Sequence, residues 1–71
     1  MVHRANVFVE IKDSAVSGPM VDQIVGTARR QANPAALVVI VCRGYTRDAE
    51  VRRKLWSTPQ MDVMFKVVMD E

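Results

Sequence analysis

The chain reads as an α/β protein of order β-α-β-α-β: a three-stranded, mainly parallel sheet with both helices on one face. Three observations predict this. Residues 35–42 run Ala-Ala-Leu-Val-Val-Ile-Val-Cys, with no charge and no glycine; a short strand apolar on both faces belongs at the centre of a covered sheet. Residues 6–12 and 61–69 alternate with period two and read as flanking strands. Between successive strands lies a run with helical spacing. Strands joined by a helical crossover are normally parallel, and the crossover is right-handed.

In the first strand Val7, Val9 and Ile11 alternate with Phe8, Glu10 and Lys12. Residues 13–18 form a connecting loop. Pro19 suits a first helical turn, where its missing N–H costs nothing, and Ser17 or Gly18 is the cap. Val21, Ile24, Val25, Ala28 and Ala32 follow at helical spacing, which predicts a helix from Pro19 to about Gln31. Asn33-Pro34 ends it. After the central strand, Thr46 is a good N-cap and Asp48 complements the dipole of a second helix over residues 47–56. Val51 and Leu55 are expected to share its buried face, with Ala49 and Trp56 beside them and Arg52, Arg53 and Lys54 mostly outward. Ser57-Thr58-Pro59 breaks that helix. The third strand sets Met61, Val63, Phe65, Val67 and Met69 against Asp62, Met64, Lys66 and Val68.

With the all-apolar strand in the middle, the strands stand in the spatial order 1-2-3. The helices are expected to cover Val7, Val9, Ile11, Val63, Phe65 and Val67. The opposite face then shows Phe8, Met64, Val68 and half of the central strand, with Glu10, Lys12 and Lys66 among them. No further element is available to cover that face, so it reads as a partner surface or a cleft floor.

At 71 residues the chain is one domain, residues 1–71, near the lower limit for a self-sufficient core. A homodimer or higher oligomer is therefore expected. The single cysteine, Cys42, excludes an internal disulfide framework and reads as a buried small hydrophobe. No Cys/His cluster has zinc spacing. No apolar run reaches membrane-spanning length and no signal-peptide pattern opens the chain, so the expected location is cytoplasmic and no membrane partner is expected. The only histidine, His3, lies in a terminus expected to fray.

The net charge is +2, but residues 29–54 hold seven basic side chains against Asp48 and Glu50. Such a local excess suits a phosphate-bearing partner or a solvated helix face. Arg43, Arg47, Arg52, Arg53 and Lys54 are the candidate nucleic-acid-binding residues. The carboxyl rim of the sheet, where ligands of open α/β sheets collect, gathers Lys12, Asp13, Ser14, Arg43, Gly44, Tyr45 and Thr46. Both helix N-termini point toward it, each a modest anion site. No glycine-rich nucleotide fingerprint is present.

Glu10-Ile11-Lys12 closes the first strand, and period two puts Glu10 and Lys12 on one face. A carboxylate there can bind Mg²⁺, and the ammonium can stabilise developing phosphoryl charge; an ordinary ion pair is the alternative. Val9-Glu10-Ile11-Lys12, the helix carrying Val21-Asp22-Gln23-Ile24, the apolar strand and Gly44-Tyr45-Thr46-Arg47-Asp48-Ala49-Glu50 together resemble the second half of the Mrr-type restriction endonuclease domain, of the PD-(D/E)xK nuclease superfamily. The resemblance spans about residues 6–55. It implies Glu10 as a catalytic residue and metal ligand, Lys12 as the catalytic lysine, Mg²⁺ as cofactor if the site is active, and Gln23 as a loose match to a helix glutamine. The family's upstream metal-binding Asp has no counterpart here.

Three readings of function follow. The first is a small oligomeric interaction module resembling a truncated, non-cleaving nuclease domain. The second is a metal-dependent nuclease or nucleic-acid-binding domain using Glu10 and Lys12. The third is an anion or nucleotide binder at the carboxyl rim. The partners these imply are further copies of the chain, nucleic acid, or a second protein.

Overall fold

The computed structural model describes residues 6–31 and 36–69. In chain order the elements are β1 (Val7–Ile11), β2 (Ala15–Val16), α1 (Gly18–Gln31), β3 (Leu37–Cys42), β4 (Gly44–Tyr45), α2 (Arg47–Trp56) and β5 (Asp62–Val67). The main sheet has the order β1-β3-β5, and both pairings are parallel. This is the expected α/β arrangement with the apolar strand in the centre. His3, Asn33 and Pro34 lie outside the described residues.

Two elements are additions to the sequence reading. β2 and β4, two residues each, pair in parallel inside what read as loops. Backbone bonds from Arg43 N to Ser14 O (3.1 Å) and from Thr46 N to Val16 O (3.0 Å) continue the pairing. Val16 is fully buried, so this ladder ties the two loops together over the core. A two-residue strand is too short to show a period.

Helix α2 starts as expected: the Thr46 hydroxyl accepts from Ala49 N at 3.1 Å. That satisfies one of the donors a helix N-terminus leaves unpaired. The core lies between the sheet and the helices. α1 contributes Val21, Ile24, Val25 and Ala28, α2 contributes Ala49, and the sheet contributes Val38, Ile40, Cys42 and Val63. Cys42 is buried, as its position at the end of an apolar strand implied. The two helices are joined by Trp56, whose indole N–H donates to Asp22 Oδ1 at 2.8 Å while Arg29 lies over its ring.

Two faces turn out opposite to expectation. Register places Phe8 beside Val38 and Glu10 beside Ile40, and Val38 and Ile40 face the helices. So Phe8 packs on the core, while Val7, Val9 and Ile11 are exposed on the other side. Val63 and Phe65 do face the helices, whereas Val67, on the same side by register with Cys42, runs past their cover and is exposed. In α2 the inward stripe is Ala49, Arg53 and Trp56; Val51 and Leu55 are exposed, Leu55 at 70%. Arg53 is held inward because its Nε donates to Glu50 Oε1 at 2.6 Å and its Nη1 to Val63 O at 3.0 Å. Its guanidinium thus takes the place that Val51 and Leu55 were expected to fill.

Candidate functional site

The corrected orientation of β1 leaves a different surface on the open side of the sheet. Register arranges it in three rows across the strands: Val7–Leu37–Asp62, Val9–Val39–Met64 and Ile11–Val41–Lys66. The only charges, Asp62 and Lys66, sit at opposite ends of β5. Every other position is aliphatic or methionine. Val9 is 53% and Ile11 71% exposed, and Met64 and Val68 are exposed beside them. No described element covers this face. The expected open face was half charged, because Glu10 and Lys12 were assigned to it; the real one is apolar from β1 through β3. A strand with an all-aliphatic row opposite a row holding Glu and Lys normally buries the aliphatic row. Here Phe8 fills the core side, and Glu10 and Lys12 sit at the margin of the helix layer.

Glu10 and Lys12 do come together, as period two predicts. Lys12 Nζ lies 3.6 Å from Glu10 Oε2, and both side chains are partly exposed. Among the described residues, no group of three or more His, Cys, Asp or Glu side chains is placed to hold a metal ion. What the geometry displays at this spot is an ion pair of the kind that neighbouring strand positions often carry.

The basic segment is largely engaged within the chain. Arg43 Nε donates to Asp13 Oδ1 at 2.7 Å. Arg52 Nε lies 3.7 Å from Asp22 Oδ2. Arg53 is held by Glu50 and the Val63 carbonyl. Arg47 and Lys54 remain exposed, and a spacing of seven residues puts them on one side of α2 with Val51. No family model, curated protein or solved structure matches this chain.

At the carboxyl rim, Ile11, Lys12, Asp13, Val41, Cys42, Arg43 and Val68 line a cavity of about 230 Å³. Its cations face acidic neighbours, Lys12 with Glu10 and Arg43 with Asp13, so it has no cationic excess. The helix N-terminus above β2 is also served from within the chain. A methyl group on Gly18, the first residue of α1, would collide with the Asp48 carboxylate. Asp48 lies in the first turn of α2, so one carboxylate complements two helix N-termini.

Gly18→Ala is expected to destabilise the protein, because the methyl must displace the Asp48 carboxylate from the start of α1. In an Asp48→Ala background the penalty should shrink, because the carboxylate that the methyl meets is gone. Urea denaturation of the four proteins of this double-mutant cycle measures the coupling.

Proposed function

We propose that this chain is a small interaction module that self-associates by packing the open face of its sheet against the same face of a second copy. The observation that carries this reading is the apolar surface formed by the three rows of the open face. Fully burying a Val or Ile side chain contributes roughly 1.5–3 kcal/mol, and a domain this small has few other ways to bury apolar area.

The pattern of charge favours a second copy of the chain as the occupant. Consider a twofold axis lying between two such sheets, across the strands, at the level of Val9, Val39 and Met64. It sets β5 over β5 in opposite directions. Asp62 then meets Lys66 of the partner subunit, and Lys66 meets the partner's Asp62. The aliphatic columns of β1 and β3 meet their own copies. Sheets packed this way lie about 10 Å apart with side chains interdigitated. The same face is thus complementary to itself in both charge and hydrophobicity, as an isologous interface requires.

Sedimentation equilibrium across a range of concentrations tests the reading. The expected mass is at least twice the monomer's 8.0 kDa, with dissociation on dilution. A folded 8.0 kDa species at every concentration would refute it.

The nuclease resemblance leads to a separate expectation. Metal-assisted phosphodiester cleavage needs several oxygen ligands on the cation, and the matching position offers Glu10 paired with Lys12. Plasmid DNA incubated with the protein and Mg²⁺ or Mn²⁺ should stay intact, and Lys12→Ala should change nothing. If Arg47 and Lys54, the candidate residues without an ion pair among the described residues, meet phosphates, neutralising both should flatten the log–log salt slope of DNA binding by about two units. Cleavage lost in Lys12→Ala would restore the catalytic reading.

A further inference from the structure

We infer that the outer edge of β1 is a second self-association surface, at which the β1 strands of two copies pair antiparallel about a twofold axis through Val9. This takes the self-association proposed above one step further, and converts a face-packed dimer into a closed tetramer.

The backbone shows which groups that edge offers. Lys12 N donates to Val41 O at 2.7 Å, and Asn6 O accepts from Ala36 N at 2.8 Å. Even-numbered positions of β1 therefore turn their N–H and C=O toward β3. Val7, Val9 and Ile11 turn theirs outward. Among the described residues no hydrogen bond reaches those outward groups.

The opposite edge is guarded. In β5, Asp62 N and Val68 N donate to β3, so Val63, Phe65 and Val67 face outward. The Val63 N–H donates to Ser57 Oγ at 3.0 Å, and its carbonyl accepts from Arg53. The Tyr45 ring stacks on Phe65 with centroids 4.3 Å apart. On β1 the outward positions hold no proline, bulge or charge; its charged neighbours, Glu10 and Lys12, lie on the helix side and pair with each other.

Register singles out one pairing. Centred on Val9, it sets Val7 against Ile11 of the partner subunit and Val9 against the partner's Val9, each facing pair exchanging both its N–H···O bonds. All five residues of β1 overlap, and the cross-strand pairs on the open face are β-branched. Centring on Glu10 instead would oppose two carboxylates. Centring on Phe8 would leave Ile11 outside the overlap of the two strands.

The two axes are compatible. The edge axis stands normal to the sheet at the level of Val9. The face axis runs across the strands at that same level. They meet at right angles, and two such twofolds generate a third, which closes the assembly in the dihedral symmetry common among tetramers.

Val9→Pro is the test. The Val9 N–H points away from β3, so proline removes the outward donor and spares the ladder, while the face stays apolar. The wild type is expected as a tetramer, and Val9→Pro as a dimer of half that mass with unchanged far-UV circular dichroism. If the variant fails to fold, amide exchange in the wild type decides: the Val7, Val9 and Ile11 amides should be protected. Fast exchange there, in a wild-type dimer whose mass proline leaves unchanged, would overturn the edge pairing and leave the face contact standing. A wild-type dimer made monomeric by Val9→Pro would support the edge if the Val7, Val9 and Ile11 amides of the wild type are protected, and would overturn it if they exchange fast. A monomeric wild type would overturn both.

Discussion

Ile40→Ala is expected to remove about 2–5 kcal/mol of stability. Ile40 is fully buried at the middle of the central strand, beneath the helices. Deleting its side chain leaves a cavity with sheet on one side and helices on the other, and a parallel strand fixed in register on both edges has little freedom to collapse into it. Stabilities of roughly 0.05–0.15 kcal/mol per residue imply only about 4–11 kcal/mol for a chain of this length. One truncation therefore removes a large share of the total. Val39→Ala at the next position is the control. It lies on the open face, so its loss should act on assembly more than on the fold. Urea unfolding of both variants, at one fixed protein concentration because association is linked to folding, should show a much larger fall in midpoint for Ile40→Ala. Equal falls would mean that the two faces of β3 are equally packed within the monomer.

Val39→Lys is expected to break the face contact, leaving a folded, edge-paired dimer of half the wild-type mass. Val39 stands at the centre of the middle row, flanked by Val9 and Met64. A lysine there would point into the partner's copy of the same row, which holds no carboxylate. An uncompensated buried charge costs about 3–5 kcal/mol, which is roughly 100-fold or more in the dissociation constant. Leu55→Lys, on the outer side of α2, introduces the same charge at a more exposed residue. It should leave the mass unchanged. If Leu55→Lys dissociates the protein and Val39→Lys does not, the contact runs through α2 and not through the sheet.

The order of elements, the parallel pairing and the central place of residues 37–42 were legible in the chain because each rests on local pattern. A run without charge, two alternating strands, Thr46 at a helix start and Pro19 in a first turn act within a few residues of themselves. Which face of a strand meets the helices is a different kind of fact. Period two divides β1 into Val7, Val9, Ile11 and Phe8, Glu10, Lys12 but does not sign the division. Burying one phenylalanine under the helices, with Glu10 and Lys12 paired at their margin, won over burying three aliphatic residues. α2 misled in the same way. Two apolar residues four apart suggest a buried stripe, yet Arg53 occupies the inward position because the Val63 carbonyl and Glu50 are there to receive it. The Val63 carbonyl comes from β5, ten residues along the chain, and only the fold brings it there. Of the candidate sites, the meeting of Glu10 with Lys12 followed from spacing alone. The engagement of Arg43, Arg52 and Arg53 by Asp13, Asp22 and Glu50 did not, because two of those pairs cross between elements.

The most direct measurement of the proposed interface is an isotope-filtered NOE experiment on a mixture of labelled and unlabelled protein, which reports only contacts between copies. Intermolecular NOEs are expected among the methyl groups of Val9, Val39, Val41 and Met64, with none from Val51 or Leu55. Intermolecular NOEs confined to α2, or none from the open face of the sheet in a sample that sediments as an oligomer, would contradict it.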